Sequence, residues 1–107
     1  METTIRANDG TATLINIFTV EPENQEKLVA LLKDGTETSI SKMTGWVSTN
    51  FLSSKDGRRV IVYSQWRKAT DIEAMRQDAA MGPYLQRVAA LAKFDAILCE
   101  ATYVHHT

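Results

Sequence analysis

The run Val60-Ile61-Val62-Tyr63-Ser64-Gln65-Trp66 constrains this chain more than any other stretch, because it reads as a strand with no purely polar face. It is rich in β-branched and aromatic residues, follows the turn signal Lys55-Asp56-Gly57, and precedes the helix-start pattern Thr70-Asp71-Ile72-Glu73. Alternation along a strand puts Val60, Val62, Ser64 and Trp66 on one side and Ile61, Tyr63 and Gln65 on the other. Large apolar groups stand on both sides. Such a strand belongs to a sheet covered on both faces, and a chain of 107 residues holds too little helix to cover both by itself.

A first strand is expected over residues 11–20, with Leu14, Asn16, Phe18 and Val20 on one face and Ile15 and Ile17 on the other. Glu21-Pro22-Glu23 then opens a helix, since proline suits the first helical position and acids suit the positive end of the helix dipole. Leu28, Leu31, Leu32, Ile40 and Met43 form its apolar stripe, with Gly35 and the Thr/Ser-rich residues after it weakening the second half. Residues 45–53 read as a second strand, joined to the third by a hairpin at Asp56-Gly57. A capping box at residues 70–73 starts a second helix. Met81-Gly82-Pro83 breaks it and starts a third, in which Leu85, Val88, Ala89 and Ala92 recur at helical spacing. Residues 94–104 read as a fourth strand, and the polar residues 1–10 as a flexible lead preceding a domain at 11–107.

The order β-α-β-β-α-(α)-β is that of an α+β, ferredoxin-like split βαβ fold, with an antiparallel sheet and its helices on one face. The other face, with Ile15, Ile17 and Tyr63, has nothing in the chain to cover it. A homodimer whose sheets pack face to face is the expected solution.

Composition excludes several classes of function. Twelve basic and thirteen acidic residues give a net charge of −1 without long runs, which argues against nucleic acid as a partner. No stretch approaches the roughly 20 apolar residues of a membrane span, and the polar start carries no apolar signal core, so no membrane partner and a cytoplasmic location are expected. Cys99 is the single cysteine and reads as a small buried hydrophobe. No nucleotide-binding glycine loop, metal motif or Ser/His/Asp set is visible. His105 and His106 read as part of a frayed tail, and a metal site there would need ligands the chain does not offer.

The segments Ile15-Asn16-Ile17-Phe18-Thr19-Val20-Glu21-Pro22-Glu23-Asn24-Gln25, Gly45-Trp46-Val47-Ser48, Asp56-Gly57 and Tyr63-Ser64-Gln65-Trp66 resemble the antibiotic biosynthesis monooxygenase family of the dimeric α+β barrel superfamily. The resemblance covers about residues 12–104. Relatives of this pattern include oxygenases, haem degraders, isomerases and proteins of unknown role. Members that oxidise polycyclic phenols without metal or flavin often carry Asn-Tyr-x-Gln-Trp on the third strand. Here Val62 stands at the asparagine position, while the tryptophan is kept as Trp66. Haem degraders combine a first-strand asparagine and this tryptophan with an iron-ligating histidine on the second helix. Asn16 and Trp66 match, but Arg76 stands where the histidine is expected, so no cofactor is expected.

Asn16 and Trp66 are therefore the candidate catalytic residues, each as a donor to a substrate or dioxygen-derived oxygen. Each also has a structural reading, Asn16 as a core amide bonded to nearby backbone and Trp66 as core packing. Phe18, Val62, Ser64, Met75 and Tyr84 are candidate substrate-binding residues. Ser64 reads first as a backbone-bonded hydroxyl, and Met75 and Tyr84 first as helix core. The resemblance implies a cofactor-independent monooxygenase that turns a small electron-rich phenolic or anthrone-like aromatic into a quinone with dioxygen. The alternatives are a non-catalytic dimeric protein that binds a hydrophobic small molecule, which Val62 favours, and an isomerase of a small oxygenated metabolite.

Overall fold

The structure, a computed structural model, describes residues 2–107. Four strands, β1 (Ala12–Val20), β2 (Trp46–Ser53), β3 (Arg59–Trp66) and β4 (Ala92–Cys99), form one sheet in the order β2-β3-β1-β4, with every neighbouring pair antiparallel. Helices α1 (Gln25–Thr38), α2 (Ala69–Arg76) and α3 (Met81–Leu91) supply the other layer. This is the expected α+β, ferredoxin-like arrangement: β1 and β2 run parallel, with β3 between them.

Period-2 alternation sorts β1 and β3 as the sequence implies. Leu14, Phe18, Val20, Val60, Val62 and Trp66 are buried against the helices with Leu28, Leu32, Ile72, Met75, Met81 and Val88. Val60, Leu28 and Val88 are fully buried and Trp66 is 1% exposed, so this layer is the core. Burying one such aliphatic or aromatic side chain contributes roughly 1.5–3 kcal/mol.

Pro22–Asn24 forms a single 3₁₀ turn ahead of α1, and the Gln25 side-chain amide then donates to the backbone carbonyls of Ser54 and Arg59, both at 3.0 Å. The hairpin base is thereby tied to the start of α1. At its tip Asp56 Oδ1 accepts from the Ser54 hydroxyl at 2.7 Å and from the Arg58 amide at 3.0 Å, while Gly57 takes φ +80°. The hairpin forms where Asp-Gly predicts it.

Three expectations need correction. Helix α1 ends at Thr38, so Ile40 lies in the 3₁₀ turn Ile40–Lys42 and Met43 beyond it, outside the helical stripe, while the hydroxyls of Thr36 and Thr38 in its second half donate to the carbonyls of Leu32 and Asp34 one turn back. The capping box is absent, because Lys68 is the N-cap of α2, no side chain caps it, and Thr70 to Glu73 lie inside the helix. The last strand begins at Ala92, earlier than residue 94, because Ala92 pairs with Val20, and it ends at Cys99, which pairs with Thr13 near the start of β1. Ala12, the first residue of β1, has no partner on β4, and residues 100–107 carry no regular structure.

The outer sheet face carries half-buried Ile15, Ile17, Ile61 and Tyr63, together with Leu52 and Ile97, which are 57% and 46% exposed. No helix covers it. Cys99 lies half-buried on this face, not in the core. Gln65, on the same face, is buried within its own chain: its amide donates to the Thr4 carbonyl at 2.8 Å and accepts from the Ser48 hydroxyl at 2.8 Å.

Candidate functional site

Between the sheet and the helices lies a cavity of about 320 Å³. Its floor is a short lattice of cross-strand neighbours. Asn16 sits directly opposite Val62 on β3 and Ala96 on β4, and Val62 in turn faces Phe51 on β2. One step along the strands, Leu14 faces Ser64 and Ser64 faces Thr49. Met75 and Arg76 from α2, Met81, Tyr84, Leu85 and Val88 from α3, and Leu32, Thr36 and Ile40 from α1 and the turn after it form the roof and walls.

All seven candidates from the sequence, Asn16, Phe18, Val62, Ser64, Trp66, Met75 and Tyr84, line this one space. They differ in how their polar groups are used. Trp66 Nε1 donates to Ser64 Oγ at 3.3 Å, and Ser64 Oγ donates to the Leu14 carbonyl at 3.2 Å. The indole N–H is therefore already engaged inside the protein, and Ser64 is the acceptor that allows a tryptophan to be buried there. Asn16 is the opposite case. Its amide makes no hydrogen bond to protein among the described residues, and the side chain is half-buried on the cavity floor. A carboxamide presents two donors and an acceptor, so the floor offers a ligand a free hydrogen-bonding group.

Thr49, Phe51 and Arg76 are lining residues that the sequence reading did not select as site residues. The bulge between Trp46 and Ser48 explains Thr49 and Phe51: one extra residue shifts the alternation of β2, so Trp46, Thr49 and Phe51 all face inward. The Thr49 hydroxyl accepts from Trp46 Nε1 at 2.8 Å, which leaves its own proton free to donate. Tyr84 packs its ring on Gly35 of α1, where any β-carbon would collide with it. Burial pushes the Tyr84 hydroxyl up to about 12 from its ordinary 10.0, so it is a neutral donor throughout the physiological range.

No Asp, Glu, His or Lys lines the cavity among the described residues, and Arg76 is its single charged group. No cluster of three or more His, Cys, Asp or Glu that could hold a metal ion exists among them either. His105 is exposed in the tail, with its Nδ1 3.0 Å from the Tyr103 hydroxyl.

Fold and site together define a small antiparallel α+β protein with a largely apolar chamber between sheet and helices, lined by neutral hydrogen-bonding groups and by Arg76. The chain belongs to the antibiotic biosynthesis monooxygenase family, whose profile matches residues 11–87. It is 37% identical over 100 residues to the tetracenomycin-F1 monooxygenase of Streptomyces glaucescens, an alignment covering 94% of this chain and 89% of that one. Among solved structures, SnoaB, a cofactor-independent oxygenase from Streptomyces nogalater, superposes with a TM-score of 0.76 at 19% identity, over 89% of this chain and 96% of that one. An anthrone oxidase-like protein superposes with a TM-score of 0.82 at 24% identity, over 90% of this chain and 41% of that longer one. At those identities the two structures speak for the fold.

Proposed function

We propose that the protein is a monooxygenase working without metal or flavin, which oxidises an electron-rich phenolic or anthrone-like aromatic to a quinone with dioxygen. The observation that carries this reading is the Asn16 amide, free of protein partners on the floor of an otherwise apolar chamber. The named activity of the 37% identical relative supports it.

With no carboxylate or imidazole in the lining among the described residues, the substrate does the difficult work in this reading. An anthrone loses a doubly benzylic proton to give an aromatic, delocalised anion. That anion passes one electron to dioxygen, and the resulting radical pair combines to form a C–O bond. The peroxide anion so formed takes back from solvent the proton that the anthrone released to it, and the hydroperoxide then loses water to leave the carbonyl, so CH₂ plus O₂ gives C=O plus H₂O. The protein contributes a dry enclosure and preorganised donors toward the oxygen that gathers charge. Asn16 is the donor in this reading. Trp66, with its N–H held by Ser64, acts as the apolar wall that fixes the ring system. The volume of about 320 Å³ sits at the low end of the roughly 300–1,000 Å³ of small-molecule sites, which suits a compact polycycle.

The working unit in this reading is a homodimer joined through the open sheet face. The direct test is dioxygen uptake on anthrones and dihydroquinones in chelated, flavin-free buffer. One dioxygen consumed per quinone formed is the expected result. Tight binding of these compounds with no uptake would replace the reading with that of a binding protein, which Val62 beside Asn16 favours by removing the second amide from the floor.

A further inference from the structure

The bulge in β2 turns Thr49 onto the cavity floor, where it is half-buried. Its Oγ1 accepts from Trp46 Nε1 at 2.8 Å, and its own proton has no acceptor among the described residues. The hydroxyl is thus held in place by the indole and left with a proton to donate. Asn16 is the other floor group without a protein acceptor. Between the two, on β3, lie apolar Val62 and Ser64, whose hydroxyl is already bonded to Trp66 and to Leu14. Thr49 faces Ser64, Ser64 faces Leu14, and Asn16 stands two residues along β1 from Leu14. Two strand spacings of about 4.8 Å and two residues of about 3.4 Å each put the Cα atoms of Thr49 and Asn16 roughly 12 Å apart.

We infer that Thr49 is a second catalytic donor, bonding the ring carbonyl that lies across the same ring from the carbon being oxidised, while Asn16 serves the oxygen added at that carbon. The inference rests on the proposed reading of the cavity as an oxygenase substrate site, and it narrows the substrate to a ring ketone whose reactive CH₂ is para to the carbonyl. Two oxygens at opposite corners of one ring stand roughly 5 Å apart, and a hydrogen bond of about 2.9 Å beyond each gives a reach of about 11 Å, close to the span of the floor. Oxygens on adjacent positions are too close together to be served from both strands. When the CH₂ releases its proton to solvent, the C–H electron pair moves through the ring and the carbonyl oxygen becomes an aryloxide. A donor already aimed at that oxygen favours the anion over the neutral ketone. Thr49 therefore raises the acidity of the C–H bond without itself taking the proton, in a lining that offers no carboxylate or imidazole among the described residues.

The test begins without dioxygen. Anthrone is bound to the full chain, to Thr49→Ser and to Thr49→Val at one mildly alkaline pH, and the coloured anthrolate is measured by absorbance. Thr49→Val should hold about tenfold less anion than wild type, the scale of one hydrogen bond to a charged group. Thr49→Ser should restore most of it. Binding of anthracene, which has the same ring frame and no oxygen, should be equal in all three. An anthrolate fraction unchanged in Thr49→Val, an equal loss in both variants, anthracene binding lost together with the anion, or no binding of anthrone would each overturn the inference. Infrared spectra of 9,10-anthraquinone bound to wild type add a readout that needs no variant to fold. Both carbonyl bands should shift as hydrogen-bonded groups do, and one unshifted band would overturn the inference. Dioxygen is then admitted. Thr49-dependent anthrolate without dioxygen uptake would refute the oxygenase reading and leave the role of Thr49 in binding the anion standing, and uptake with an anthrolate fraction indifferent to Thr49→Val would do the reverse.

Discussion

The indole N–H of Trp66 donates to the hydroxyl of Ser64, two residues earlier on the same face of β3, and the Ser64 hydroxyl donates in turn to the Leu14 carbonyl of β1. The pair closes a chain of hydrogen bonds inside the core at a tryptophan that is 1% exposed. Ser64→Ala should therefore leave a buried N–H unpaired and cost about 1–3 kcal/mol. Thermal unfolding should show it as a drop in Tm of roughly 4–8 °C per kcal/mol for a chain of this size. An unchanged Tm would mean that the indole finds another acceptor.

Asn16 carries the opposite expectation, because its amide has no protein partner to lose. Asn16→Leu should keep or slightly raise stability while lowering kcat/KM for dioxygen uptake by about 10²–10³, the scale of losing one donor to a developing oxyanion. Trp66→Phe should cost less in turnover than Asn16→Leu, since the indole N–H is engaged by Ser64. If Trp66→Phe proves the more damaging of the two, the donor assignment is reversed.

The sheet was legible because alternation over eight or nine residues leaves little choice of register: β1 and β3 bury the faces their residues predict. The shared cavity followed, since Asn16, Phe18, Val62, Ser64 and Trp66 occupy one side of two adjacent strands. Three features depended on contacts distant in sequence. The inward turn of Thr49 needs the bulge at Val47, which alternation alone does not reveal. The extent of β4 depends on its pairing with β1, which runs from Val20 back to Thr13. The pattern Thr70 to Glu73 matches a capping box, yet Asp71 lies against Gly45 and the helix begins earlier.

Gly45 makes that last contact testable. It has φ +84°, its carbonyl accepts from the Arg67 amide at 2.8 Å, and a β-carbon there would run into the Asp71 carboxylate. Gly45→Ala should destabilise by more than the ~1–2 kcal/mol of a left-handed backbone alone. Adding Asp71→Ala should recover the part due to the carboxylate, and neither the backbone part nor the contact with the β-carbon of residue 71. Urea denaturation of the single and double variants measures both, and purely additive effects would show that the two sites do not touch.

Tyr84 predicts alkaline behaviour. Its hydroxyl rises to about 12 in the folded protein from 10.0, so between those values the native state holds a proton that the unfolded chain releases. Stability is complete below pH 10 and falls as pH climbs toward 12. Tyr84→Phe should flatten that decline, and tyrosinate absorbance should show one group titrating late. If wild type and variant lose stability identically over this range, burial of Tyr84 is not the cause.

The open sheet face sets the last expectation. Ile15, Ile17, Ile61, Tyr63, Leu52 and Ile97 lie on one face of the sheet, the first four half-buried and the last two exposed. An apolar sheet face of that kind favours association with a second copy, since a two-fold axis sets the same surface against itself. Sedimentation at low micromolar concentration should give a single dimeric species. Ile17→Lys places a charge at the centre of the face, opposite Ile61 on β3 and Asp95 on β4, without touching the cavity on the far side. It should yield a folded monomer or a dimer weakened by orders of magnitude. A wild-type protein that sediments as a stable monomer would show that this surface stays uncovered, and the sheet-to-sheet dimer would have to be abandoned.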